Sequence, residues 1–107
     1  MSRLRTLLLL ALLGSTGAAQ AVNGWTGSFV ITQLYISGAE NFHVRVSGFP
    51  AISACTTGPT WAYINQSQSG SKEYIAALMI AYASGKPVNI YWQPDASGYC
   101  QIIEMIS

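Results

Sequence analysis

Charge is scarce in this 107-residue chain: five Lys or Arg, four Asp or Glu and one His, or 8% charged residues. Two of the cations, Arg3 and Arg5, sit at the very start. From Val22 onward, Arg45, Lys72 and Lys86 stand against Glu40, Glu73, Asp95 and Glu104, a net charge of −1. No basic field remains to track phosphates or anionic lipid, so nucleic acid is not an expected partner. The single histidine, His43, has no G-x-S-x-G motif to join, and nothing in the spacing places a serine and a carboxylate beside it. Two cysteines, one histidine and scattered acids do not form a metal-ligand cluster. Paired glycosidase carboxylates would have to come from Glu40, Asp95 or Glu104, and the sequence gives no sign that any two converge. No metal, cofactor or catalytic residue is therefore assigned. A non-catalytic protein is expected, with a small hydrolase using His43 as a remote alternative.

Long apolar runs are also missing. The longest, Leu7 to Leu13, is interrupted only by Ala11. It is far short of the roughly 20 residues that span a bilayer. Preceded by Arg3 and Arg5 and followed by small residues ending Ala19-Gln20-Ala21, it reads as a secretory signal over residues 1–21. A single domain is expected over 22–107, secreted or periplasmic, with no membrane span after processing. Cys55 and Cys100 both fall in that part. An even count in an oxidising compartment, with no C-x-x-C motif, predicts one disulfide. It would close a loop of roughly 45 residues, worth on the order of 4 kcal/mol by chain entropy.

What the chain does have is β-forming sequence and aromatic residues. Trp25 to Ser37 is rich in Phe, Val, Ile, Thr and Tyr and predicts a long first strand. Ser37 to Asn41 is a turn. Phe42, Val44 and Val46 alternate with His43, Arg45 and Ser47, as in a half-buried second strand. Gly48 to Pro59 is a loop, and Thr60 to Asn65 a short third strand. Gln66 to Ser71 is polar and leads into a helix. Ser71 is its expected N-cap, Glu73 lies in the first turn, and Gly85 follows as the C-cap residue. Ile75, Leu78, Met79 and Tyr82 form the expected core face. Ala76, Ala77, Ile80 and Ala83 form an apolar opposite face, expected either to pack on a neighbouring subunit or to face solvent. Val88, Ile90 and Trp92 alternate with polar residues in a fourth strand. Pro94 to Gly98 is a hairpin loop, and Tyr99 to Ile106 a fifth strand. The order β-β-β-α-β-β is that of the OB-fold, a small five-stranded barrel, and other α+β arrangements share it. Asn65-Gln66-Ser67 matches a glycosylation triplet, a pattern common by chance.

Three Trp, six Tyr and three Phe give the chain an aromatic content of 11%. Tyr35, Tyr63 and Tyr91 fall on faces that one small core does not obviously need. Tyr and Trp offer an apolar face with a polar tip, which suits stacking on sugars beside Ser, Thr, Asn and Gln.

Several segments resemble a known family in order along the chain. They are Ile31-Thr32-Gln33-Leu34-Tyr35-Ile36, Ala54-Cys55, Trp61, Ser71-Lys72-Glu73, and Tyr82 through Ile90. Together they resemble the B subunits of subtilase cytotoxin and of pertussis-type toxins. The resemblance implies an OB-fold, a homo-oligomer (a ring pentamer), cell-surface glycan as ligand, and a toxin A subunit as partner. The family's sialic-acid-contacting serine, near the start of the first strand, aligns with Gly27, and Ser28 lies one position away. A one-residue slip would turn that side chain to the other face. The chain is also shorter than those subunits and lacks their later cysteine pair. Trp25, Thr26, Ser28, Tyr35 and Tyr91 are the expected ligand-binding residues, and Ala76, Ala77, Ile80 and Ala83 the expected oligomer interface. The alternative reading is a protein-interaction or structural module of the bacterial envelope that binds no sugar.

Overall fold

The computed structural model describes residues 24–107; the expected signal segment 1–21 and its cleavage point lie outside the described residues. The chain is mainly β with one helix. Its elements are β1 (Gly24–Trp25), β2 (Phe29–Val30), β3 (Gln33–Ile36), β4 (Val44–Ser47), β5 (Trp61–Ile64), α1 (Ser71–Ser84), β6 (Pro87–Pro94) and β7 (Cys100–Ile106). They form a seven-stranded mixed, open sheet of order β1-β6-β7-β5-β4-β3, with β2 also pairing β6. All pairings are antiparallel except β5 with β7, which run parallel.

Seven strands replace the expected five because the first run, Trp25 to Ser37, is broken twice. At the first break Gly27 adopts φ +82°, a backbone conformation that L side chains rarely take. The side chains there stand in for the ladder: Thr26 Oγ1 accepts from Ile90 N at 3.2 Å, and Asn89 Oδ1 accepts from Gly27 N at 3.1 Å. At the second break the run changes partner. Phe29 and Val30 pair with Val88 and Pro87 of β6, whereas Gln33 to Ile36 pair with Ser47 to Val44 of β4. Between them Thr32 N donates to Ser47 O at 2.9 Å. One stretch of chain thus supplies strands at both ends of the sheet path.

The core follows from the period-2 pattern. Val44 and Val46 of β4, Ala62 and Ile64 of β5, Val88 and Ile90 of β6 and Ile102 of β7 are buried. They pack with Phe29, Ile31 and Phe49 from the first run and the following loop. Helix α1 closes this core with half of the expected face: Ile75 and Leu78 face inward, Met79 and Tyr82 do not. Leu78 and Ala81 are buried and Tyr74 and Ile75 pack against them, whereas Met79 and Tyr82 are 46% and 45% exposed. A helix that is apolar on every side gives its periodicity no contrast with which to choose a face. The side with small Ala81 goes inward, and the Tyr74 hydroxyl ties it to β7 by donating to Ile103 O at 2.9 Å. The start of α1 also differs. Gly70 is the N-cap, at φ +77°, with no side-chain cap. Ser71 is buried, and its hydroxyl donates to Gln66 O at 2.8 Å instead. Gly85 caps the other end at φ +69°, as the sequence predicts.

Cys55 and Cys100 are joined, with Cα atoms 5.5 Å apart, and both are fully buried. The bond pins the loop between β4 and β5 to the first residue of β7. Among the described residues, no helix is long and apolar enough to cross a membrane.

Candidate functional site

The outer face of β3, β4 and β5 is built by register. Gln33 and Tyr35 lie opposite Ser47 and Arg45, which lie opposite Trp61 and Tyr63 in turn. Residues directly opposite each other share a face, so these six side chains lie on one side of the sheet, with Tyr63 buried beneath the others. That side is the reverse of the face that buries Val44, Val46, Ala62 and Ile64. Arg45 occupies its centre. Its guanidinium carbon is 4.0 Å from the centroid of the Tyr35 ring and 5.1 Å from that of Trp61, within cation–π range of both. Two shallow depressions flank it, of about 190 and 260 Å³. Gln33 and Ser47 line the first; Ser37, Asn41, Phe42 and Tyr99 line the second. Tyr35, Arg45 and Trp61 line both. Exposed aromatic faces beside amides and hydroxyls are what a small polar ligand with apolar patches requires.

The floor of this surface is a cluster of packed aromatic rings. Phe42 packs on Tyr63, Tyr99 and Trp61 with ring centroids 4.4, 5.0 and 5.8 Å apart, and Trp61 lies 5.3 Å from Tyr99. Phe42 adopts φ +53°, unusual for a bulky residue and costly by about 1–3 kcal/mol. Its N–H donates to Asn65 Oδ1 at 2.9 Å, which holds the strained residue in place. That bond also gives the side chain of the glycosylation triplet a structural role. Behind Trp61, Gly58 sits at φ +59°, and a Cβ there would come within 2.6 Å of the indole. Only glycine lets the ring lie this close to the loop.

Tyr63 and Asp95 anchor the other side. The Tyr63 hydroxyl donates to Asp95 Oδ2 at 2.5 Å, and Asp95 Oδ1 accepts from the N–H groups of Ser97 and Tyr99 at 2.9 Å each. Burial, then the Asp95 bond, pushes the Tyr63 phenol well above its ordinary value. Burial alone would raise the Asp95 pKa, but the hydrogen bonds from Tyr63, Tyr99, Ser97 and Gly98 outweigh it, and the carboxyl sits below its usual range. A carboxyl depressed by folding stabilises the native state above its unfolded pKa and loses that contribution as pH falls through the folded one. The melting temperature should therefore hold level down to about pH 5 and drop below about pH 4. Asp95→Asn should be less stable than wild type at neutral pH and show a shallower acid limb. Calorimetry across that range checks both.

The expected ligand residues separate into two places. Trp25 and Tyr91 meet across β1 and β6, with ring centroids 5.0 Å apart. Thr26 follows Trp25 in sequence, and its hydroxyl serves the backbone, donating to Gly27 O at 2.7 Å. Ser28 is exposed beside the break and lines neither depression. Tyr35 alone joins the β3–β4–β5 surface, where its partners Arg45 and Trp61 were not among the expected residues. Part of the signal was in the sequence: Arg45 and Ser47 alternate outward on β4. The register that sets Tyr35 and Trp61 on either side was not.

His43 Nδ1 is 2.9 Å from Ala39 O, so the ring donates there and braces the turn before β4. Glu40 Oε2 accepts from the hydroxyl of Ser67 and from its N–H at 3.0 Å, and these bonds hold the exposed carboxyl below its ordinary pKa. Among the described residues, no three His, Cys, Asp or Glu side chains gather where a metal ion could bind.

No protein-family model matches the chain, and no curated protein sequence matches it.

Proposed function

We propose that this chain is an exported, non-catalytic binding domain that recognises cell-surface carbohydrate through the outer face of β3, β4 and β5. The observation that carries this reading is the Tyr35–Arg45–Trp61 surface, where two aromatic rings flank shallow depressions lined by Gln33, Ser37, Asn41 and Ser47. Sugars present apolar C–H patches and a rim of hydroxyls, and this surface offers the complement of each. The resemblance to toxin B subunits supports the same ligand class.

That resemblance, together with the pairing of the 24–36 run to β6 at one end and β4 at the other, supports an OB-like barrel. It also supports a ring-forming homo-oligomer, with a toxin A subunit as a further partner. Ile80 is 68% exposed, Ala76 and Ala83 are exposed and Ala77 is half-buried, so the outer side of α1 is open to a neighbouring copy. Shallow sugar sites gain avidity when several engage at once, which links assembly to recognition.

Ile80→Lys tests the assembly. It would place an unpaired charge in the contact, at a cost of about 2 kcal/mol or more per interface. Light scattering should show wild-type oligomer becoming folded monomer, since Leu78 and Ala81 still fill the core side. A wild type that is already monomeric at tens of micromolar, roughly the range of weak interfaces, would contradict the ring.

The exposed band of Met79, Ile80 and Tyr82 favours a second reading, an envelope protein-interaction module that binds no sugar. A glycan array probed with the mature chain separates the two. Reproducible hits lost in Tyr35→Ala are expected. A blank array would favour the second reading.

A further inference from the structure

Arg45 is an expensive residue to place where it is. It is one of three Lys or Arg residues within 24–107. Its Nε is buried without a hydrogen-bond partner. No carboxylate lines either depression beside it. The two rings that flank the guanidinium stabilise its charge through their faces, but they offer no oxygen to its N–H groups. A guanidinium half-withdrawn from water keeps five donors, and their natural partners are carboxylate or sulfate oxygens.

The position of Arg45 between the two depressions adds a geometric constraint. Because Tyr35, Arg45 and Trp61 belong to both hollows, a ligand that fills both must pass over the guanidinium. Each hollow has its own hydrogen-bonding groups: Gln33 and Ser47 on one side, Ser37 and Asn41 on the other.

Resting on the carbohydrate reading, we infer that the site takes an acidic oligosaccharide that crosses Arg45. Its carboxylate or sulfate belongs to an internal sugar, and its neighbours lie in the two flanking hollows. The anion pairs with the terminal N–H groups of Arg45, since the buried Nε is out of its reach, and the aromatic rings of Tyr35 and Trp61 support the sugar that bears it. The charge is recognised in mid-chain, not at the tip of a glycan.

The test is calorimetric titration with pairs of tetrasaccharides that differ in charge alone. Each pair is a uronate oligosaccharide and its carboxyl methyl ester, with a sulfated chain and its desulfated form as a further pair. The wild type should bind the acid at least about tenfold more tightly than its neutral twin, as expected for one charge-assisted hydrogen bond. The ratio should fall to about one in Arg45→Gln and survive in large part in Arg45→Lys, which keeps the charge. The lysine variant also guards against a fold effect of losing the cation. A tetrasaccharide acidic only at its non-reducing end should bind no better than a neutral one.

Equal binding of acid and neutral forms in every pair overturns the inference and leaves the carbohydrate reading standing. A preference that persists in Arg45→Gln overturns it too, because the charge is then read elsewhere. A preference for terminal acids overturns the mid-chain placement. If no saccharide binds, neutral or acidic, the carbohydrate reading falls with it.

Discussion

Removing the Cys55–Cys100 bond should lower the melting temperature by about 15–30 °C. The chain-entropy model assigns roughly 4 kcal/mol to closing a loop of this length. In a domain this small each kcal/mol moves the midpoint by about 4–8 °C. The location of the bond strengthens the case. It joins the loop after β4 to the first residue of β7, and Cys100 lies opposite Ala62 in the parallel pairing of β5 with β7. That pairing has no hairpin to hold its register, so the cross-link supplies what a tight turn supplies elsewhere. Thr57 reinforces the junction by donating from its hydroxyl to Ser97 O at 2.9 Å and from its N–H to Gly98 O at 3.1 Å. The Cys55→Ala/Cys100→Ala variant, or reductant with wild type, should show the drop by differential scanning calorimetry. A shift below about 5 °C, under about 1 kcal/mol by the same scaling, would mean that the sheet holds this junction without the bond.

Trp61→Ala should weaken glycan binding strongly and also weaken the fold. The indole contributes to both depressions, and buried Trp anchors carry about 2 kcal/mol or more of binding at sites of this kind. A loss of at least about thirtyfold in affinity follows. The same ring packs on Phe42 and Tyr99 and lies against Gly58, so part of its removal is paid in stability. Tyr35→Ala separates the two effects. Tyr35 is 49% exposed, so its loss should leave the melting temperature within a few degrees, by the small effect of surface changes. Its loss should still remove one stacking face for the sugar. Isothermal titration beside thermal unfolding, for both variants, distinguishes a binding role from a packing one. Wild-type affinity in Tyr35→Ala would contradict the assignment of this surface.

How much of this was legible in the sequence depended on whether a local pattern had one solution. The alternation of Val44 and Val46 with Arg45 and Ser47 fixed both faces of β4, because a strand has only two. Gly85 ended the helix because its αL conformation suits glycine. The hairpin at Pro94–Gly98 followed from Asp95, which accepts from Ser97 N and Tyr99 N as turn-forming acids do. The inward side of α1 was only partly legible, since Ile75, Met79, Ile80 and Tyr82 gave equal support to several rotations. The two breaks in the first run were hidden as well. Thr26 and Asn89 replace backbone ladder bonds with side-chain ones, and composition alone does not distinguish that from an unbroken strand. The surface around Arg45 was half legible. Tyr35 stood out as an unneeded aromatic, but its partnership with Trp61 depends on two strand registers, and registers are set by contacts distant in sequence.

The proposed saccharide site is the outer face of β3, β4 and β5. Amide and indole chemical-shift mapping of a labelled chain spanning residues 22–107, titrated with a glycan from the array, tests it most directly. The largest shifts should fall on Gln33, Tyr35, Arg45, Ser47 and the Trp61 indole N–H. Shifts gathered instead around Trp25, Ser28 and Tyr91, or along the exposed side of α1, would contradict it.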